Sequence, residues 1–276
     1  MYYENGSFKL YYEKYGNGKE TILILPGWGN TRSTFDYIIN NLKRDYSVYI
    51  IDNPPFGNSK VLEEDLTIYD YANLIREFIL HEKINNPTII AHSFGGRIAT
   101  LLSSYYNEKI KRLILIDIAG IKPKKAIKSI IKKYTYKLLN KISKILPKKL
   151  RLKTNTYLLK IFSSSDYYNL DDNMKKTFKN IINEDLKKYL QNIDTKTLIL
   201  WGEYDKSTPL RDAYIINKKI KKSELIVFRK SNHFPYLDYP NITLDIINNY
   251  LKEKAWLSCS IYHIYFYNSM EVSTFH

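Results

Sequence analysis

The stretch Ala91-His92-Ser93-Phe94-Gly95-Gly96 sets a serine between two contrasting runs. Before it lies an apolar run, Pro87-Thr88-Ile89-Ile90, and after it a helix-like run, Arg97-Ile98-Ala99-Thr100-Leu101-Leu102. Small residues around a serine at such a passage mark a sharp, strained turn that lifts the hydroxyl where a base can reach it. A serine hydroxyl is a poor nucleophile until a base takes its proton, so the implied chemistry is covalent attack. Two later segments carry the missing groups. Trp201-Gly202-Glu203-Tyr204-Asp205 ends the apolar run Thr197-Leu198-Ile199-Leu200. Ser231-Asn232-His233-Phe234-Pro235 follows the run Leu225-Ile226-Val227-Phe228. His233 is the candidate base, and Asp205 would hold its imidazole tautomer and stabilise the imidazolium.

Each of these residues sits just past an apolar run, where open α/β sheets place their sites. Two further loops share that position. Leu25-Pro26-Gly27-Trp28-Gly29 follows Thr21-Ile22-Leu23-Ile24, and Asp52-Asn53-Pro54-Pro55-Phe56-Gly57-Asn58-Ser59 follows Ile51.

On these five motifs, spread over residues 7 to about 252, the chain resembles the α/β-hydrolase superfamily, in its branch of small cap-bearing serine hydrolases. The order Ser93, Asp205, His233 is that superfamily's order. Ala91 and Pro55 stand where the family usually has Gly, and Pro26 begins a loop that usually opens His-Gly. The resemblance implies an oxyanion hole of two backbone N–H groups, on Phe94 after the nucleophile and on Trp28 in the loop after the first parallel strand. It also makes Asp117 a rival acid, because some members place their acid after that earlier strand; Asp205 is preferred. Ser rather than Asp at the nucleophile argues against chemistry through an aspartyl ester. His92 differs from the Asn usual there in C–C bond hydrolases of ring-cleavage pathways, and is expected to be a packing residue. Arg97 is expected to be a helix-start residue rather than a ligand, Asp52 to organise its turn, and His81, His263 and His276 to lie at the surface.

Periodicity supplies the elements that would position these groups. Phe8 to Tyr15 alternates and reads as an edge strand. Ile22–Leu25, Tyr46–Ile51, Thr88–Ala91, Leu113–Ile118, Thr197–Trp201 and Leu225–Phe228 read as strands buried on both faces. Thr67 to Glu82 reads as a helix capped by Thr67. Strands alternating with helices imply an α/β fold with a mostly parallel, doubly wound sheet. The alternation stops over residues 121–196, read as an all-helical cap inserted into a core of residues 1–120 and 197–254. Within it Pro123 to Lys149 carries an apolar stripe at helical spacing, Ser163 to Asp166 reads as a loop and Thr177 to Leu190 as a helix. Residues 255–276 are a C-terminal extension, left open between an extra strand, an interface and a non-native tail.

The cap segment holds 20 basic and six acidic side chains, so its net +14 accounts for nearly all of the chain's +15. Such a surface could attract an anionic substrate, an acidic carrier protein or a membrane. The chain is also rich in Asn, Ile and Tyr, the usage of an AT-rich coding sequence, and surface lysines then need no partner. That compositional reading is preferred, and no recognised nucleic-acid module accompanies the charge.

With 276 residues, 44% of them hydrophobic, the chain can bury a large core. One cysteine, Cys259, permits no intramolecular disulfide. With neither a secretory signal nor a membrane-length apolar run, a cytoplasmic protein is expected. No P-loop, dinucleotide fingerprint or Cys/His cluster implies a cofactor or metal. The expected function is hydrolysis of a small-molecule acyl ester or thioester by Ser93, His233 and Asp205, that is, a carboxylic ester hydrolase. Two alternatives stand beside it: a C–C bond hydrolase using the same triad, and a non-catalytic ligand-binding protein of the same fold. Oligomeric state and acyl chain length are left open.

Overall fold

The structure, a computed structural model, describes residues 1–63, 65–122 and 170–253, the backbone of 264–268 and isolated positions between 135 and 154. The Pro123–Lys149 stripe and the Ser163–Asp166 loop lie outside the described residues, apart from those isolated positions.

Five-residue runs of Ile, Leu and Val have no polar face to leave in water, so they pair side by side with both faces covered. Six such strands are parallel: β3 (Thr21–Leu25), β4 (Ser47–Ile51), β6 (Thr88–His92), β7 (Arg112–Ile116), β8 (Thr197–Gly202) and β9 (Ser223–Phe228). Antiparallel strands β1 (Tyr2–Asn5), β2 (Phe8–Tyr15) and β10 (Ile264–Asn268) complete the order β1-β2-β4-β3-β6-β7-β8-β9-β10, and the short β5 (Lys60–Val61) pairs with β2. The chain winds outward from β3 to β4, then crosses to β6 on the other side. The resulting switch point lies between β3 and β6, the place at the strands' carboxyl ends where open α/β sheets set their sites.

Side-chain alternation divides the core between two faces. Leu23, Leu25, Ile89, Leu113, Leu115, Ile199 and Trp201 pack under α2 (Ile68–His81) and α3 (Phe94–Ser104). Ile22, Ile24, Ile90, Ile114, Ile116, Leu198 and Leu200 pack on the opposite face, with residues of α1 (Asp36–Leu42) and α5 (Pro240–Leu251). Thr67 caps α2 in a reciprocal box with Asp70, as its sequence position suggests.

Two expectations are corrected and a third is extended. The strand Phe8–Tyr15 is not the edge, because Tyr2–Asn5 folds back on it as a hairpin. The helix expected over 177–190 spans Asp172–Asn183, here α4, and stops at Glu184, whose extended backbone carries the chain inward. The Leu186 amide then donates to Gly120 carbonyl at 2.8 Å, and short 3-10 turns follow at Leu186–Lys188 and Leu190–Asn192. Arg97 stands in the first turn of α3, as expected, and does more than start that helix. Its side chain is buried, and Nη1 donates to the carbonyls of Ile181 and Glu184 at 3.0 Å each, closing the C-terminal end of α4. Within the C-terminal extension, residues 264–268 form β10 against β9. Among the described residues no helix is long and apolar enough to cross a membrane.

Candidate active site

Ser93 stands between β6 and α3 with φ +47°, a strained conformation for a residue with a Cβ. The turn closes only because its neighbours are small: a Cβ on Gly95 would collide with the carbonyl of Leu25, and one on Gly96 with Ile118. Gly96 N–H donates to Ser93 carbonyl at 3.0 Å, and Ser93 N–H to Ile116 carbonyl at 3.1 Å. The hydroxyl is thereby presented at the carboxyl end of the sheet.

Asp205 lies three residues past β8 in a turn that its own carboxylate organises. Oδ1 accepts the amides of Ser207 at 2.7 Å and Thr208 at 3.0 Å, and Oδ2 accepts the Thr208 hydroxyl at 2.5 Å. The loop after β9 brings His233 against it, with Nδ1 2.6 Å from Asp205 Oδ2 and Nε2 2.9 Å from Ser93 Oγ. Burial alone would raise the Asp205 carboxyl. The hydrogen bonds from His233 and Thr208 outweigh it and hold the group at about 2. An ionised carboxylate only accepts, so His233 Nδ1 carries the proton and Nε2 offers its lone pair to the serine. Asp205 has no exposed side-chain surface, whereas His233 retains 17% exposure.

The two loops singled out upstream meet at Pro26. Its carbonyl accepts Gly95 N–H at 3.1 Å and Asn53 Nδ2 at 2.6 Å. The loop bearing Trp28 is thus pinned to the start of α3, where Phe94 N–H is the first of the helix and has no intrahelical acceptor. The Trp28 ring contacts Phe94 and Phe178 at 5.1 Å and Phe56 at 4.9 Å, centroid to centroid. Asp52 organises its turn as expected, accepting the Asn58 amide at 2.9 Å.

Asp117 follows β7, and its buried carboxyl accepts Gly202 N–H at 2.9 Å. Burial, reinforced by the charge of Asp205, pushes it well above the usual carboxylate range. Asp117, Asp205 and His233 bring ligand-type atoms within 4.8 Å of one another, a spacing that suits a metal ion. Here Asp205 and His233 Nδ1 are already engaged with each other.

The sequence reading missed Thr208 and Asn53. Asp205-Lys206-Ser207-Thr208 carries an Asx-turn signal that could have found the first; the contact of Asn53 with Pro26 is tertiary and leaves no local mark. His92 is buried as expected, but its ring also reaches the carbonyl of His233 at 2.8 Å. His81 is exposed, while His263 and His276 lie outside the described residues.

A family model described as the alpha/beta hydrolase fold matches residues 20–177 and 169–240. Among curated proteins, the pimeloyl-[acyl-carrier protein] methyl ester esterase of Wigglesworthia glossinidia brevipalpis is 26% identical over 86% of this chain and 96% of its own length. The enzyme of that name from Proteus mirabilis is 22% identical over 84% and 93%. Among solved structures, an esterase from Exiguobacterium antarcticum superposes with TM-score 0.68 at 24% identity, covering 89% of this chain and 96% of that one. An enol-lactonase from Burkholderia xenovorans gives TM-score 0.70 at 14% identity, over 91% and 100%.

Proposed function

Because the chain belongs to the alpha/beta hydrolase fold family, we propose that it is a serine hydrolase that cleaves an acyl ester or thioester through an acyl-enzyme on Ser93. The observation that carries this reading is the unbroken line of contacts Ser93 Oγ, His233 Nε2, His233 Nδ1, Asp205 Oδ2, at 2.9 and 2.6 Å.

His233 Nε2 takes the Ser93 proton as Oγ attacks the acyl carbon, and Asp205 stabilises the imidazolium that forms. The carbonyl oxygen becomes an oxyanion held by the Trp28 and Phe94 N–H groups, with the positive end of α3 behind it. As the tetrahedral species collapses, His233 returns the proton to the leaving alcohol or thiol. Water, activated by the same histidine, then releases the acid and restores Ser93.

Residues 121–196 act in this reading as the cap over the acyl pocket. The contact of Phe178, on α4, with Trp28 supports it by setting that segment beside the oxyanion loop. Ester over C–C cleavage is favoured by the names of the curated relatives. Those names also state an acyl group on a carrier protein, and an acidic carrier would suit a segment of net +14.

The test is turnover of p-nitrophenyl esters and thioesters of increasing chain length. Hydrolysis with a chain-length optimum, lost in Ser93→Ala, is expected. Binding of acyl ligands without turnover of any ester or thioester would favour a non-catalytic member of the fold.

A further inference from the structure

His92 precedes Ser93 on β6 and is wholly buried. Its Nε2 lies 2.8 Å from the carbonyl oxygen of His233, a contact between residues 141 apart in the chain. A carbonyl only accepts, so Nε2 carries the proton and Nδ1 the lone pair. Among the described residues Nδ1 has no hydrogen-bond partner, and it faces Gly27, where an added Cβ would lie 2.8 Å from it. The ring packs on His233 at 4.7 Å, Phe234 at 4.9 Å and Tyr236 at 5.3 Å. One side chain therefore touches the loops after β3 and β9 from the strand that bears the serine.

Burying an imidazole with one nitrogen unpaired is costly, and an apolar side chain would fill the same space without that cost. The polar ring is used for a single bond, and that bond grips the backbone of the base. Resting on the triad reading above, we infer that His92 is a positioning residue, whose Nε2–H holds the His233 main chain so that His233 Nε2 stays opposed to Ser93 Oγ through turnover. The nucleophile's own strand thereby sets the placement of its base.

The titratable groups facing His92 are His233, Asp205 and Tyr236. Burial first, and the neighbouring His233 second, push His92 down to about 3. His92 is therefore uncharged at neutral pH, and a neutral ring does not oppose the positive charge His233 acquires in the reaction.

The test compares three variants on a p-nitrophenyl ester. His92→Gln keeps an N–H donor at similar reach, His92→Asn falls short, and His92→Phe keeps a ring without a donor. His92→Phe and His92→Asn are expected to lose about 100-fold in kcat with little change in KM, the scale of a ~1 Å misplacement of a reacting group. His92→Gln recovers most of that loss. The low-field proton signal of the His233–Asp205 hydrogen bond should survive in His92→Gln and shift in the other two. Wild-type turnover in His92→Phe, or equal losses in His92→Gln and His92→Phe, overturns the inference. If His92→Phe does not fold, His92→Gln and His92→Asn decide: higher kcat for His92→Gln supports the inference, and equal values overturn it. Fluorophosphonate labelling of wild type at Ser93 checks the triad reading separately; absence of that label removes the triad, and the inference with it.

Discussion

Asp117 and Asp205 leave the ends of adjacent strands, yet only Asp205 hydrogen-bonds His233, at 2.6 Å. The two carboxyls are driven in opposite directions. Asp205 is held at about 2 by its hydrogen bonds, whereas burial raises Asp117 well above the usual range. A carboxyl that burial drives toward its uncharged form is poorly suited to stabilise an imidazolium by charge. Asp205→Asn, which leaves His233 in the wrong tautomer, should therefore lower kcat by about 10⁴-fold. Asp117→Asn keeps an acceptor for the Gly202 amide and leaves the His233–Asp205 hydrogen bond in place, so it should cost far less. Steady-state kcat of the two variants checks this, and the reverse ranking would move the acid to Asp117.

Arg97 joins α3 to α4 with no ion pair to a carboxylate among the described residues, and the charges of Asp185 and Glu184 favour its charged form. Burial lowers its guanidinium to about 10, so it is charged at neutral pH. Arg97→Met removes the donor for the Ile181 and Glu184 carbonyls. Leaving such acceptors unpaired should cost about 2 kcal/mol, read from the urea midpoint at unchanged slope. An unchanged midpoint would mean that water replaces the guanidinium.

His92 links stability to pH. Its folded pKa of about 3 lies below that of an unfolded histidine, about 6.5. Between these values the unfolded chain binds a proton that the native protein refuses, so stability falls as pH drops through this window. Asp117 acts in the opposite sense, because its raised pKa makes the native state the better proton binder there. Comparing wild type with His92→Gln isolates the histidine. The variant should lose less stability between pH 7 and pH 4.5 in urea titrations, and parallel curves would refute the neutral buried state of His92.

The charge of residues 121–196 yields a salt prediction. The Debye length is about 10 Å at 0.1 M, so long-range attraction fades as salt rises. Turnover of a neutral short-chain ester should be indifferent to added salt. A loss of kcat/KM confined to an acidic substrate or carrier would show that the net +14 works in recognition.

The parallel strands were legible because burial on both faces writes them as unbroken apolar runs, as in Thr88–His92 and Arg112–Ile116. Ser93, Asp205 and His233 were legible because each follows such a run in a turn with its own chemistry. Tyr2–Asn5 was missed because it is short, polar and only half-buried, with nothing but its pairing to β2 to make it a strand. The end of α4 was missed because Glu184 and Leu186 are set by contacts with Arg97 and Gly120, far away in sequence. The same holds for His92: its type marks it as titratable, and only the fold shows that its ring reaches the backbone of His233.

The central claim is that Ser93 is the nucleophile, and covalent labelling tests it most directly. Intact protein treated with a fluorophosphonate, then digested and mapped by mass spectrometry, should carry one adduct, on Ser93. Ser93→Ala should carry none and should lose about 10⁴-fold or more in kcat while keeping the wild-type fold. An adduct on another residue, or labelling and turnover that survive Ser93→Ala, would contradict the account.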